Sequence, residues 1–144
     1  MNWLVSLIDY GIVGVLVVLS ILVVTLATER ILFFRHIDLN DYPSRHLLEL
    51  HLSKNMSVIG TIAGNTPYVG LLGTVLGIMM TFHAIGTSAH METGAIMAGL
   101  ALALKATAIG LAVAILSVAL YNLLVRRAKN ILLQWDIRHE RQPH

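Results

Sequence analysis

The sequence YGIVGVLVVLSILVVTLAT, residues 10–28, decides the fold class of this chain. Its 19 residues carry no charge and lie between Asp9 and Glu29. About 20 such residues form an α-helix long enough to cross the hydrocarbon core of a bilayer. Hydrophobic residues make up 56% of the chain and charged residues only 12%, which is about half the charge of a soluble domain. The composition predicts an all-α integral membrane protein and excludes a soluble globule and a disordered chain.

Several classes of functional site are excluded by what the sequence lacks. There is no cysteine, so disulfide frameworks, thiolate zinc sites and thiol nucleophiles are excluded. No catalytic triad, phosphate-binding loop or pair of intramembrane carboxylates is apparent, so we expect no enzyme activity, no catalytic residue, no cofactor and no metal. His83 and His90 are seven positions apart without a third ligand, and we interpret them as surface residues. The basic residues form no stripe with interleaved aromatics, so no nucleic-acid partner is implied.

Two further apolar stretches complete a prediction of three spans in a single membrane domain, residues 1–144. The expected parts are span one with a cytoplasmic extension at about 10–34, a short cytoplasmic connector at 35–57, span two at 58–86, a periplasmic turn at 87–94, span three at 95–126 and a cytoplasmic tail at 127–144. Within the connector, residues 44–52 are predicted to form a short amphipathic helix capped at Ser44. A cleaved signal peptide is disfavoured, because no basic residue precedes the first span and no cleavage motif follows it.

The basic residues predict the orientation of the chain. Nine of the ten Lys and Arg residues follow the apolar run of span one or that of span three, and therefore lie on one side of the membrane; they are Arg30, Arg35, Arg45 and Lys54 after the first run, and Arg126, Arg127, Lys129, Arg138 and Arg141 after the third. Because basic loops favour the cytoplasm, we expect the N-terminus outside and the C-terminus inside. The tenth basic residue, Lys105, interrupts the third span.

Spans two and three each carry a face of small and hydroxyl-bearing residues. At steps of three and four, these faces comprise Thr66, Gly70, Thr74, Gly77, Thr81 and Ala84 on span two, and Gly99, Ala103, Thr107, Gly110, Ala114 and Ser117 on span three. Such faces let helix backbones approach closely in lipid, so plain helix packing is the first interpretation. Thr74 and Thr107 lie near mid-span, where a hydroxyl either bonds back to its own helix or lines a narrow polar passage. Spacing alone favours neither interpretation.

Lys105 is the outlier of span three. An intramembrane lysine costs about 2.5–3.5 kcal/mol on insertion scales and marks a functional position by default. Alternatively, its side chain leans toward the outer surface and reaches lipid phosphate. Lys105 and Thr107 are about 200° apart around the helix, so if Thr107 faces a pore, Lys105 points to a neighbouring subunit, span one or lipid. Because Asp9 is expected near the outer surface, we expect no carboxylate of this chain at the depth of Lys105. It then needs a partner outside the subunit, or loses its charge.

The segments TPYVGLLGTVLGIMM (66–80) and ATAIGL (106–111), with Tyr121-Asn122, resemble the ExbB/TolQ family, to which the flagellar stator protein MotA is more distantly related. The chain is most similar to a short ExbB-like protein. The resemblance implies a multi-pass protein of the bacterial inner membrane that forms a homo-oligomeric ring, taken to be a pentamer. It also implies single-span partners of the ExbD/TolR type, whose intramembrane Asp binds and releases protons. Such a motor, driven by the proton gradient, would energise a TonB-like protein for transport across the outer membrane.

The resemblance also carries site residues over to this chain. It matches Thr74 and Thr107 to family threonines that face the lumen of the ring, and the predicted proton path extends along the same faces to Thr81, Gly70, Gly77, Ala103, Gly110 and Ala114. The chain departs from the family pattern at Leu102, where a Glu is usual, at Lys105, where an apolar residue is usual, and at Leu116, which replaces a proline. Lys105 and Leu102 are therefore predicted at a subunit interface or in contact with membrane phospholipid or the partner.

Three alternatives to this function are kept open. A TolQ-like role in envelope maintenance is hard to separate from an ExbB-like role, although the short connector slightly favours the latter. A non-conducting scaffold that merely holds the partner helices is the second alternative, and sodium rather than proton coupling is the third. A free-standing cation channel is disfavoured, because it needs acidic rings at its mouths and only Glu92 lies near the outer one.

Overall fold

The computed structural model describes residues 2–141 as a set of helices. The α-helices are α1 (Asn2–His36), α2 (Arg45–Ser53), α3 (Met56–Thr87) and α4 (Thr93–Glu140), and a short 3-10 helix, Leu39–Asp41, lies between α1 and α2. No strand occurs within the described residues. The helices α1, α3 and α4 are long and apolar enough to cross a membrane. The prediction of an all-α chain with three helices that could span a membrane is thereby confirmed.

The helices α3 and α4 form an antiparallel pair, joined by a turn at residues 88–92, and they make the most extensive contact of the chain. Helix α1 packs against both of them. Ile12 near the start of α1 lies beside Gly73, and Val23 farther along joins a core cluster with Leu124. Helix α1 therefore runs parallel to α4. We call the end that contains residues 88–92 the turn end, and the opposite end the connector end.

A hydrophobic cluster at the connector end holds α2 against the long helices. Its buried members are Val23, Ala27, Phe34, Leu39, Leu48, Leu52, Met56, Ile59, Ile62 and Leu124. Ser44 caps α2, because its side chain accepts a hydrogen bond from the backbone N–H of Leu47 at 3.3 Å. This confirms the predicted short helix and its cap. On α4, Trp135 Nε1 donates to the carbonyl oxygen of Tyr42 at 3.1 Å, which ties the end of α4 to this layer.

The reversal between α2 and α3 is held by polar contacts with α1. Asn55 has a φ of 63°, a left-handed conformation that Asn adopts more readily than most residues. Its side-chain amide donates to the carboxylate of Glu29 at 3.3 Å. Arg30 is only 2% exposed, is paired with Glu29, and donates from Nη1 to the backbone carbonyl of His51 at 2.9 Å. One buried guanidinium therefore links α1 to the last turn of α2.

Most of the apolar surface of the three long helices remains on the outside of the chain. In the most apolar window of each span, only 17–22% of the residues are buried. Large side chains such as Val18 on α1, Phe82 on α3 and Ile115 on α4 are more than half exposed. These surfaces are therefore available to lipid or to other protein chains.

Candidate functional site

The seam between α3 and α4 is closed by small residues that bring the two backbones into contact. A Cβ placed on Gly110 would lie 2.8 Å from the Cα of Gly70, closer than side-chain carbons approach other atoms. A Cβ on Gly77 would lie 2.6 Å from the Cβ of Ala103. Larger side chains at these positions would force the helices apart. The seam therefore exists because the two faces predicted from the sequence lack bulk.

Thr74 and Thr107 meet at this seam and hydrogen-bond each other through their hydroxyl groups. Thr107 Oγ1 also donates to the carbonyl of Gly70 at 3.1 Å, and Thr74 Oγ1 lies 3.4 Å from the carbonyl of Ala103. Gly70 is four residues before Thr74, and Ala103 is four residues before Thr107. A threonine in a helix usually bonds the carbonyl four residues earlier in the same helix. Here each of the two hydroxyls instead reaches that carbonyl in the opposite helix.

This reciprocal arrangement distinguishes the pair from three other hydroxyl groups of the same two helices. Thr66, Thr81 and Ser117 each donate to the carbonyl four residues earlier in their own helix. The two interpretations offered for Thr74 and Thr107 were a bond within the helix or a polar passage between helices. The structure shows hydrogen bonds between the helices.

The hydroxyl pair has two arrangements of its hydrogen atoms. Each threonine has one hydrogen to donate and can accept two. When Thr107 donates to Gly70, Thr74 donates to Thr107. When Thr74 donates to Ala103, Thr107 donates to Thr74. The oxygen positions are compatible with both arrangements. The two hydroxyls can therefore exchange the roles of donor and acceptor without either of them ionising.

The eight residues of the predicted proton path are divided between the interior and the surface of the single chain. Five of the eight are buried inside the single chain, namely Gly70, Thr81, Ala103, Gly110 and Ala114. Thr74, Gly77 and Thr107 are partly exposed. The faces of α3 and α4 therefore pack against each other within one subunit. Whether they also line a ring lumen stays a prediction, and the partly exposed threonines are its best-placed members.

A cavity of about 30 Å³ lies beside the seam, where α1 crosses it. A volume of this size has room for one or two water molecules. Small residues of α3 and α4 line most of the wall, including Gly73, Gly77 and Ala103. Leu102 lines it too, and Asp9 contributes the carboxylate from α1. Leu102 thus faces α1 within the chain in this structure, and its predicted contacts outside the subunit stay a prediction.

Lys105 is paired with Asp9 of the same chain, which corrects the expectation that no carboxylate of this chain lies at its depth. The distance from Lys105 Nζ to Asp9 Oδ2 is 3.0 Å. The expectation was wrong because it treated Asp9 as a boundary residue, whereas α1 begins seven residues earlier, at Asn2. The lysine side chain also points back toward the start of its helix, which brings the ammonium group to the carboxylate. Of the three directions left open for Lys105, the structure shows span one.

Two charged residues that make contacts between helices were missed by reasoning from the sequence. Asp9 was visible as the charge next to the first apolar run, but its distance from Lys105 depended on where α1 begins. Arg30 was counted only as one of the basic residues that set the orientation, although it is almost fully buried. The signal for Arg30 was the neighbouring Glu29, which makes a charge pair at the end of an apolar run.

Comparisons with known proteins agree with this architecture. A sequence profile of the MotA/TolQ/ExbB proton channel family matches residues 44–137. The chain is 50% identical to the biopolymer transport protein ExbB of Aquifex aeolicus over 134 residues, which cover 93% of this chain and 90% of that protein. It is 47% identical to ExbB of Helicobacter pylori over 121 residues, or 84% of this chain and 83% of that protein. The Tol-Pal system protein TolQ of Pseudomonas aeruginosa is 38% identical over 84 residues, 58% of this chain and 36% of that protein.

Proposed function

The chain belongs to the MotA/TolQ/ExbB proton channel family as a short ExbB-like member, and we propose that it is a ring subunit of a proton-driven complex in the bacterial inner membrane. Members of this family generally work with ExbD- or TolR-like partners. In the proposed complex, the ring encloses such a partner and passes energy to a TonB-like protein for transport across the outer membrane. The observation that carries the proposal is the reciprocal hydroxyl pair of Thr74 and Thr107, which bonds between the two helices.

The proposed assembly is a homo-pentameric ring with the N-terminus outside and the C-terminus in the cytoplasm. Nine of ten basic residues on one side of the spans support this orientation. The large apolar surface that a single chain leaves uncovered supports contact with further copies and with lipid. Thr74 and Thr107 are only partly buried, so a partner helix that packs on this side of the seam contacts their hydroxyl groups directly.

The proposed role of the hydroxyl pair is to stabilise the partner's carboxylate while its proton is exchanged. An ionised carboxylate in hydrocarbon is costly unless it accepts hydrogen bonds. The pair can offer it one hydroxyl hydrogen while the other hydroxyl donates to Gly70 or Ala103. A proton that crosses 100 mV releases about 2.3 kcal/mol, a gain comparable to the energy of one or two hydrogen bonds to a charged group. Small changes in hydroxyl bonding can therefore control the exchange.

The experiment is a measurement of proton flux in vesicles that contain the chain together with its ExbD-like partner. Thr74→Val and Thr107→Val keep the side-chain shape and remove the hydroxyl group. We expect each to reduce the flux at least tenfold while the ring still assembles, as judged by native mass measurement. The matched control is Thr61→Val, because Thr61 bonds only to the carbonyl of Ser57 in its own helix. Flux at the wild-type level in both seam variants would contradict the proposal.

A non-conducting scaffold is the second candidate, and one observation favours it. Gly70 and Gly110 are in backbone contact, so much of the predicted path serves helix packing inside the subunit. A scaffold predicts that the valine variants lose flux only when they also lose assembly. An ExbB-like and a TolQ-like role differ in the defect of a deletion strain. The first predicts loss of TonB-dependent uptake, and the second predicts a leaky outer membrane.

A further inference from the structure

The part of α1 before Leu16 is weakly packed against the rest of the chain. The buried residues of α1 begin at Leu16 and continue toward the connector end with Val23, Ala27, Arg30 and Phe34. None of the described side chains before Leu16 is buried, and Trp3, Leu7 and Tyr10 are more than 60% exposed. In a bilayer, apolar surface alone gives helices little reason to associate, because lipid tails are equally apolar. A specific contact is therefore needed to fix this segment.

The pair of Asp9 and Lys105 is such a contact. The carboxylate is the enclosed member, since the side chain of Asp9 is 12% exposed and that of Lys105 is 48% exposed. Asp9 lines the cavity beside the seam, together with Gly77 of α3 and Ala103 of α4. Lys105 covers it from α4, and the two atoms are 3.0 Å apart. Among the described residues, Lys105 is the one side chain that hydrogen-bonds this carboxylate.

Each of these charges is costly in an apolar segment without the other. Removal of one partner of an enclosed ion pair leaves an uncompensated charge, which is more destabilising than removal of both. The lysine can recover part of the loss by reaching lipid phosphate, because half of its side chain is exposed. The aspartate has no such route, because the other residues that line its cavity are apolar except Thr81, whose hydroxyl donates to the carbonyl of Gly77. The stability of the segment therefore depends on the two charges jointly.

We propose that Asp9 and Lys105 are a positioning pair that fixes the segment of α1 before Leu16 on the seam between α3 and α4. The pair sets both the rotation of α1 and the position of Ile12, which lies against Gly73. Gly73 and Ala106 line the same cavity and are the sequence neighbours of Thr74 and Thr107. The pair thus holds α1 against residues that adjoin the two threonines in the sequence. An effect on proton flux rests on the proposed function, whereas the position of α1 does not.

The test is a distance measurement between spin labels on α1 and α4. The chain has no cysteine, so Trp3→Cys and Met97→Cys, both at exposed positions near the turn end, can be labelled selectively. Labelled chain is diluted into unlabelled chain in lipid nanodiscs, so that distances within one subunit dominate. We expect a narrow distribution for the wild-type pair and at least a twofold wider one for Asp9→Asn or Lys105→Met. Asp9→Glu with Lys105→Arg keeps both charges, and it should keep the narrow distribution.

The exchange variant, Asp9→Lys with Lys105→Asp, tests whether the two charges act as a pair or whether each acts by itself. Recovery of a narrow distribution supports the positioning pair. If Lys105 instead acts alone by binding lipid phosphate, Asp9→Asn should leave the distance distribution unchanged and the exchange variant should keep a wide one. Either result overturns the proposal. Arg45→Met is the matched control, because it removes an ion pair with Asp136 at the connector end and should leave the distribution unchanged. Unaltered distances in Asp9→Asn together with lost flux in Thr107→Val would reject this proposal and leave the proposed function intact.

Discussion

Replacement of Gly110 by alanine tests the close approach of α3 and α4. The added Cβ would lie 2.8 Å from Gly70 Cα, 3.2 Å from Gly70 N and 3.3 Å from the carbonyl oxygen of Thr66. All three are backbone atoms, which cannot move aside as a flexible side chain can. The helices must therefore separate by roughly half an ångström or more to restore van der Waals contact. Overpacking of this kind costs about 1–3 kcal/mol.

The expected net effect of Gly110→Ala is smaller than this cost, because alanine favours a helix over glycine by up to about 1 kcal/mol. We expect a net loss of about 1–2 kcal/mol, which corresponds to a roughly 5- to 30-fold change in the ratio of folded to unfolded chain. The assay is reversible denaturant unfolding in mixed micelles, followed by far-UV circular dichroism. Gly64→Ala is the control, since a Cβ there meets nothing within 4 Å. Equal stability of the two variants would refute the backbone contact.

Two further predictions concern the connector end. Arg30→Met removes a guanidinium that is 2% exposed and leaves the carbonyl of His51 without its donor. We expect it to lower the free energy of unfolding by about 2–4 kcal/mol in the same assay. The control, Arg45→Met, breaks an exposed ion pair and should cost less than about 1 kcal/mol. Trp135→Phe removes the hydrogen bond to the Tyr42 carbonyl and should lower the free energy of unfolding by about 1 kcal/mol. An unchanged midpoint of denaturant unfolding would mean that this bond does not anchor α4.

The spans were predictable because charge is so rare in this sequence that the long apolar runs are obvious, and each of them lies within one of the long helices. The same faces that predicted close packing, such as those of Gly70 and Gly110, lie at the seam of the structure. The bonding of Thr74 to Thr107 was not predictable from spacing, because it depends on how far each helix is rotated and shifted along its partner.

The contacts of α1 were the least predictable part of the molecule. Asp9 was assigned a depth from the edge of an apolar run, but helix α1 continues past that edge to Asn2. The long side chain of Lys105 then spans the distance from α4 to the carboxylate of Asp9 on α1. This contact between two helices could not be found by counting residues along one of them. Arg30 shows the same limitation, because the carbonyl to which it donates belongs to His51 on α2, a contact that the sequence around Arg30 could not reveal.

In the proposed function, the hydroxyl groups at the seam, and not merely its shape, are required for proton flux. The decisive measurement is the proton flux of two variants at one position, Thr107→Ser and Thr107→Val, each reconstituted with the ExbD-like partner. Serine keeps the hydroxyl and loses a methyl group, whereas valine keeps the volume and loses the hydroxyl. We expect the serine variant to retain most of the flux and the valine variant to lose at least 90% of it, which corresponds to an increase of about 1.4 kcal/mol or more in barrier height. Flux that follows side-chain volume instead, high in valine and low in serine, would contradict the proposed function.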